Sequence, residues 1–542
     1  MGLLRNSKPG RWELDAAGRV TVEIVHTPGA GASVRAGIDQ LSGMVLQSAP
    51  GVILAKVPSV GLAALERRPG VQYLRSPIRV DLLPDAVFAS ESLSTEGDIH
   101  VVLTNAASWH AAGYRGAGVK IGVIDYFDGG TWSLAEAAGA VPAPAGVFCR
   151  DTGISCDIWT GASRHGVAVA EIVHDMAPEA VLYLATAVTT TDLAAAVDWF
   201  DSQGVQVVTR SLGSQLDGPG DGTGSVDAVV DDAVNRGMVW FNAAGNHASA
   251  SGVTAGGYWR GNWVDGDSDG WMEFAPGDEG LGFVCGGVQG FRWSDWGGAG
   301  TTDYDILITD STSGATVATS VGNQVLGAPP LEIPGPIDCS AHPLLTLWVH
   351  LFDAGSGTSG DVLEFMVNGT AFEYSSNPYS VSHPAADSAN PGAMAVGAID
   401  PPTDGTIAYY SSQGPTNDER IKPDLAAPSC LSTVSYQPDC FNGTSAATPV
   451  AAGAAALVWG SGVATTPQTV TQFLRSYSVD RGAPGADLIY GAGELYLGEP
   501  PNQAPIVDAG PDQMVILSGA ALLDGTVVAG GGGGQTQPGA GG

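Results

Sequence analysis

Positive charge is scarce in this chain. Its 542 residues carry 22 Lys and Arg against 56 Asp and Glu, a formal net charge of −34. So acidic a surface repels phosphate backbones and anionic lipid, which argues against nucleic acid or a membrane surface as partner. Long apolar runs are missing as well: no stretch reaches 18 residues, so no membrane span is expected. Residues Met1 to Arg19 lack the apolar core of a secretory signal. Cysteine is sparse, with six residues and no Cys-x-x-Cys, which removes support for a zinc or thioredoxin-like site. The segment around Ser445 does not fit Gly-x-Ser-x-Gly, so an α/β-hydrolase esterase is not expected either.

Apolar material is plentiful: 44% of residues are hydrophobic and only 14% charged, enough for globular cores. The length exceeds what one core organises, so two to four domains are expected. The cysteines fall into sequence-local pairs, Cys149/Cys156, Cys285/Cys339 and Cys430/Cys440. Local pairing is the simplest of about fifteen connectivities, the alternative being separate buried thiols. Each closed loop would contribute roughly 2–4 kcal/mol, and only in an oxidising compartment.

Residues 18–83 read as strand, helix, strand, strand, helix, strand, a small α+β ferredoxin-like unit. Residues 84–99 form a polar linker. From about residue 100 to 257, buried strands alternate with helices, which implies a doubly wound, mostly parallel α/β sheet. Residues 258–380 are rich in Gly, Asp and Trp with short alternating segments, the pattern of an inserted all-β sandwich. The α/β pattern returns over residues 381–497 and includes an Ala-rich helix from Pro449 to Val458. Residues 498–542 begin as a linker and end in Gly-rich low complexity.

Four segments carry residue types suited to acyl transfer, which needs a hydroxyl, an imidazole, an orienting carboxylate and donors for an oxyanion. Asp125 ends the apolar run Ile121-Gly-Val-Ile124, where a parallel strand would deliver it to the sheet's carboxyl edge. His165 opens an apolar helix. Ser445 lies in Asn442-Gly-Thr-Ser-Ala-Ala-Thr-Pro449, before a helix apolar all round. Asn246 closes Ala243-Ala-Gly-Asn246 after a buried strand and could donate its amide to an oxyanion beside the Ser445 N–H. Taken singly, each fits a turn, a surface group or a helix cap.

Together and in this order they resemble the subtilisin-like (subtilase) family. Val119-Lys-Ile-Gly-Val-Ile-Asp125 resembles its aspartate motif and Arg164-His-Gly-Val-Ala-Val-Ala its histidine motif. Ala243-Ala-Gly-Asn246 is similar to its oxyanion motif and Gly443-Thr-Ser-Ala-Ala-Thr-Pro449 to its serine motif. The likeness spans roughly residues 100–257 and 385–497.

That resemblance implies a secreted, monomeric serine endopeptidase acting on protein or peptide substrates, with Asp125, His165 and Ser445 as triad and Asn246 in the oxyanion hole. Ser211-Leu212-Gly213 and Ala243-Ala244-Gly245 would line the substrate cleft, and Gly257 would floor its pocket. The chemistry needs no cofactor. The family leaves room for structural calcium, with no ligands nameable here. Asp265-Gly-Asp-Ser-Asp-Gly270 has oxygens at calcium-like spacing, but Pro276 stands where an EF-hand needs Glu, so a solvated acidic turn is expected. The N-terminal unit resembles a propeptide that inhibits until cleaved. Asn502 to Gln513 and Leu523-Asp-Gly525 resemble the start of a polycystic-kidney-disease (PKD) type sandwich that is not completed.

Some positions depart from the family pattern. Tyr126-Phe127 follows the aspartate where small residues are usual, and Ala168 and Glu171 replace a histidine and a glycine. Thr209-Arg210 precedes Ser211 where Asn-Met is common. Two other readings stay open: an inactive binding protein on the same fold, and an acid-acting sedolisin. The latter needs a glutamate base and an aspartate in the oxyanion hole, where this chain has His165 and Asn246.

Overall fold

The structure is a computed structural model. It describes residues 14–82, 98–161, 163–249, 256–296, 302–324, 328–355, 357–358, 360–400 and 402–502, with the backbone of two short paired strands at 506–508 and 526–528. The linker read at residues 84–99 lies almost wholly outside the described residues, as does most of the PKD-like segment.

An eight-stranded sheet forms the centre. Its spatial order is Leu425–Pro428, Ala393–Ile399, Val239–Ala243, Val207–Arg210, Lys120–Ile124, Val181–Ala187, Gly146–Asp151, Ile154–Ser155. All neighbours are parallel except the terminal hairpin, which the Cys149–Cys156 disulfide staples. Strands such as Val239–Ala243 and Ala393–Ile399 are buried along their whole length, as a sheet covered on both faces requires. From Lys120–Ile124 the chain first winds to one side, through Gly146–Asp151 and Val181–Ala187. It then crosses to the other side for every later strand. That reversal opens a crevice at the strands' carboxyl ends.

Residues Arg19–His26, Met44–Ala49, Val52–Pro58 and Val71–Arg75 form an antiparallel sheet with the third strand beside the first, covered by helices Gly31–Gln40 and Leu62–Glu66. This is the ferredoxin-like arrangement. Between Tyr258 and Asn368, two four-stranded antiparallel sheets face each other over Phe283, Phe291, Trp293, Tyr304 and Phe365. The Cys285–Cys339 disulfide closes this sandwich.

Several elements differ from the sequence reading. Helix Gly129–Ala137 and strand Gly146–Asp151 escaped it; the strand is at most half-buried, so its apolar pattern is weak. The Ala-rich helix begins at Thr444 instead of Pro449, so Ser445 lies inside its first turn. Among the described residues, no helix is long and apolar enough to cross a membrane.

Candidate active site

Ile124 and Arg210 are cross-strand partners, so the residues that follow them, Asp125 and Ser211, leave the sheet side by side at the point of winding reversal. Asp125 is fully buried. Its backbone is held by Ala185 O (3.0 Å) and by the Thr186 hydroxyl (2.7 Å), and its Oδ1 accepts from Tyr126 N (2.8 Å).

His165 starts helix His165–Met176 and places Nδ1 at 2.9 and 3.0 Å from the two Asp125 oxygens. A carboxylate can only accept, so Nδ1 carries the proton and Nε2 is left as the basic nitrogen. The approach depends on Gly166. A Cβ there would lie 2.6 Å from Tyr126 O and 2.8 Å from the Asp125 Cβ. The imidazole's face is set by Phe441, edge-on with ring centroids 5.1 Å apart.

Ser445 is the second residue of helix Thr444–Gly460, so its N–H is among the four that a helix start leaves without intrahelical partners, at the positive end of the dipole. Pro449, four residues on, has no N–H to give back to the Ser445 carbonyl. That carbonyl instead accepts from the Ser211 hydroxyl (2.9 Å), and Ser445 Oγ donates to Ser211 O (3.2 Å). The reciprocal pair ties the hydroxyl to the strand adjoining Asp125.

Asn246 Oδ1 accepts from both N and Oγ1 of Thr444, each at 2.9 Å. Because a backbone N–H only donates, this fixes the amide's orientation and turns Nδ2 outward as donor. Gly443, with φ 93°, makes room for it, since a Cβ there would lie 2.9 Å from Nδ2. Carboxylate, imidazole, hydroxyl and amide thus come from four segments to one edge of the sheet.

Residues 293–493 match the model of the subtilase family. The match covers 201 of the 542 residues, and over that span the chain is similar to the family. The matched span contains Ser445, while Asp125, His165 and Asn246 precede it. Two solved structures share the subtilase fold. The Clostridium perfringens CspB protease is 15% identical, covering 74% of this chain and 98% of its own, with a TM-score of 0.50. The Staphylococcus aureus epidermin leader peptide processing serine protease, EpiP, is 14% identical, covering 89% and 99%, also at 0.50. At such identities the likeness concerns the fold. The family match points to serine peptidase chemistry, a hydrolase reaction.

The departures from the family pattern have physical reasons in this structure. Arg210 is fully buried beneath the strand Leu212–Ser214. It donates to Leu212 O (2.9 Å), Gly213 O (2.8 Å), the Ser214 hydroxyl (2.7 Å) and Asn242 Oδ1 (3.0 Å). Burial draws its pKa down to about 10, with Tyr126 and Asp125 opposing, and it stays charged at neutral pH. Glu171 is buried and accepts from Val434 N (2.5 Å) and Ser435 N (3.0 Å), anchoring the loop closed by Cys430–Cys440 just before Ser445. Burial raises its carboxyl, against those hydrogen bonds. Phe127 packs edge-on against Trp132 and Trp159 in the core.

Leu212–Ser214 is not a bare edge. It pairs antiparallel with Val80–Leu82 of the N-terminal unit: Leu212 with Leu82, Gly213 with Asp81, Ser214 with Val80. Tyr126, next to Asp125, reaches Val80 O (3.4 Å). Across the site, Ala244 O accepts from His383 (2.8 Å) and Gly245 O from Ser412 N (2.9 Å), so both carbonyls are engaged within the fold. Gly257 lies against the sandwich, its carbonyl accepting from Val367 N (2.9 Å), which gives this glycine a packing role there.

The acidic segment 265–270 lies in the sandwich. Asp265, Asp267 and Asp269 have oxygens within 4.8 Å of one another, but both Asp265 oxygens already accept from the turn's own N–H groups. These contacts describe a hydrogen-bonded acidic turn.

Proposed function

We propose that this protein is a secreted endopeptidase that cleaves proteins through an acyl-enzyme on Ser445. In this reading His165 Nε2 takes the Ser445 proton as Oγ attacks the scissile carbonyl, and Asp125 steadies the resulting imidazolium. Asn246 Nδ2 and the Ser445 N–H receive the oxyanion. His165 then passes its proton to the leaving amine, and water hydrolyses the ester by the same steps. The observation that carries the reading is the bidentate approach of His165 to Asp125, in register beside the Ser211–Ser445 pair.

Substrate would join Leu212–Ser214 as an added antiparallel strand, the position Val80–Leu82 now fills. The N-terminal unit is accordingly a propeptide that covers the cleft, with self-cleavage beyond Leu82, between about residues 84 and 105. The three disulfides fit an extracellular, oxidising setting.

The test is hydrolysis of casein together with labelling by a serine-directed fluorophosphonate. Ser445→Ala should cut hydrolysis by about 10⁴-fold or more and abolish labelling. N-terminal sequencing of the active protein should find residue 1 gone. Undiminished hydrolysis by the variant would refute the mechanism.

A further inference from the structure

The loop after the cleft strand carries a second feature that the chemistry does not use. Asp217, three residues beyond Ser214, is 2% exposed. Its Oδ2 accepts from N (2.6 Å) and Oγ of Ser225 at the start of helix Ser225–Asn235, and its Oδ1 takes a guanidinium N–H of Arg75. Arg75 comes from the N-terminal unit, where Glu23 also holds it (2.9 Å) and its Nη2 donates to Ser225 Oγ (2.7 Å). Burial alone would raise the Asp217 carboxyl, yet Arg75 and Ser225 hold it below the usual carboxylate range.

Over residues 79–82 the path from the cleft towards this pocket is extended chain. Gln215 N donates to Arg79 O (3.0 Å), so the pairing of Val80 with Ser214 continues one residue further towards Asp217. Beside Asp217 opens a cavity of 720 Å³, bounded by Tyr73 of the N-terminal unit and, on the sandwich, by Asp295, Trp296 and Pro329. Of these, Tyr73, Arg75 and Glu23 belong to the unit that the proposed cleavage would release. Asp217, Ser225, Asp295 and Trp296 would stay.

We propose that Asp217 is an arginine-reading subsite of the processed enzyme. It would accept a guanidinium from a substrate residue seven positions before the one seated opposite Leu212, as Arg75 stands to Leu82. Three features favour arginine over other cations. The carboxylate is preformed, since Ser225 fixes one oxygen and leaves the other facing the pocket. Ser225 Oγ offers the fork a second acceptor. The indole of Trp296 lines the same cavity and supplies an aromatic surface for a planar cation. The proposal rests on the peptidase reading, because it assumes that substrate follows the path of residues 75–82.

The experiment uses fluorogenic peptides that share one scissile segment and carry Arg, Lys or Leu at that upstream position. They are assayed with the protein once its casein hydrolysis has reached a plateau. The native enzyme is expected to prefer Arg over Leu by about tenfold or more in kcat/KM, with the difference in KM, and Lys is expected to fall between. Asp217→Asn should bring the Arg-to-Leu ratio close to one, while Asp217→Glu should restore part of it. Should Asp217→Asn fail to fold, adding NaCl to the native enzyme serves instead: salt should erode the Arg preference. A native enzyme indifferent to Arg, or a preference that Asp217→Asn leaves intact, overturns the subsite while the peptidase stands. Absence of casein hydrolysis overturns the peptidase reading itself.

Discussion

Two adjacent residues receive two arginines from two different parts of the molecule. The Asp217 carboxylate takes Arg75 of the N-terminal unit, and the carbonyl of Gly218 takes Arg292 of the sandwich (3.1 Å). The arginines are paired differently. Arg292 finds its counter-charge inside its own sandwich, on Glu364 (2.7 and 3.2 Å), and Glu364 is further bonded by Tyr258 and by Asn417 (2.8 Å). Towards the catalytic sheet, Arg292 donates to the carbonyls of Gly218 and Ser382 and feels the buried Asp387 carboxylate without a direct ion pair among the described residues. Arg75 splits its charge between Glu23 of its own unit and Asp217 of the catalytic unit. The sandwich is joined to the sheet at both chain ends, so the covalent chain itself keeps it in place. The N-terminal unit, in the proposed cycle, hangs by one cleavable linker, and a full opposite charge lies across its interface. A contact that must later be given up is thus the one built on an ion pair.

The sharpest way to break the comparison is to remove each arginine in the full chain. Arg292→Met strands Glu364 in a dry site, where burial would raise its carboxyl and Arg292 now holds it down. Losing one partner of a buried pair costs about 3–5 kcal/mol, so the melting temperature of the Ser445→Ala protein should fall by many degrees. Arg75→Met should act mainly on docking. In a catalytically intact background, casein hydrolysis should begin after a lag about tenfold shorter, with the final rate little changed. If Arg292→Met shortened the lag and Arg75→Met did not, the roles assigned to the two arginines would be reversed.

The candidate residues are legible in the sequence because each proposed catalytic group sits at the end of a strongly patterned element. Asp125 terminates a buried strand, and His165 and Ser445 open apolar helices, so position and neighbourhood coincide in sequence. The ferredoxin-like order of the N-terminal unit was readable for the same reason. Arg210 was visible only as an anomaly, a charge at the end of a buried strand. Its partners are carbonyls two and three residues ahead and Asn242 on a neighbouring strand, and no periodicity encodes a side chain folded back under its own backbone. The start of the Ala-rich helix was misplaced because Pro449 reads as an early-turn residue. Here it sits in the second turn, where the hydrogen bond it removes is the one that would have occupied the Ser445 carbonyl. Arg75 and Asp217 lie 142 residues apart, and nothing local in either segment announces the other.

The smallest effect expected is also the one that separates the two interfaces by pH. Burial pushes the Glu23 carboxyl up to about 7 from its ordinary 4.5, despite Arg75, with Asp217 adding a further upward push. The docked state therefore binds this proton more tightly than the exposed chain does. Its contribution to stability is whole below pH 4.5 and is lost as pH rises through about 7. Asp217 carries the opposite sign, but its lowered pKa confines that effect to more acid conditions. For the Ser445→Ala full-length protein, thermal melts between pH 5 and 8 should lose on the order of 2 kcal/mol at the N-terminal unit. Glu23→Gln should flatten that portion of the curve. The Arg292–Glu364 pair, with its carboxyl held low, should contribute no slope there, so a Glu364→Gln protein should keep the pH dependence. Equal slopes in the Glu23→Gln and parent proteins would show that Glu23 is not the group that makes the N-terminal interface pH-sensitive.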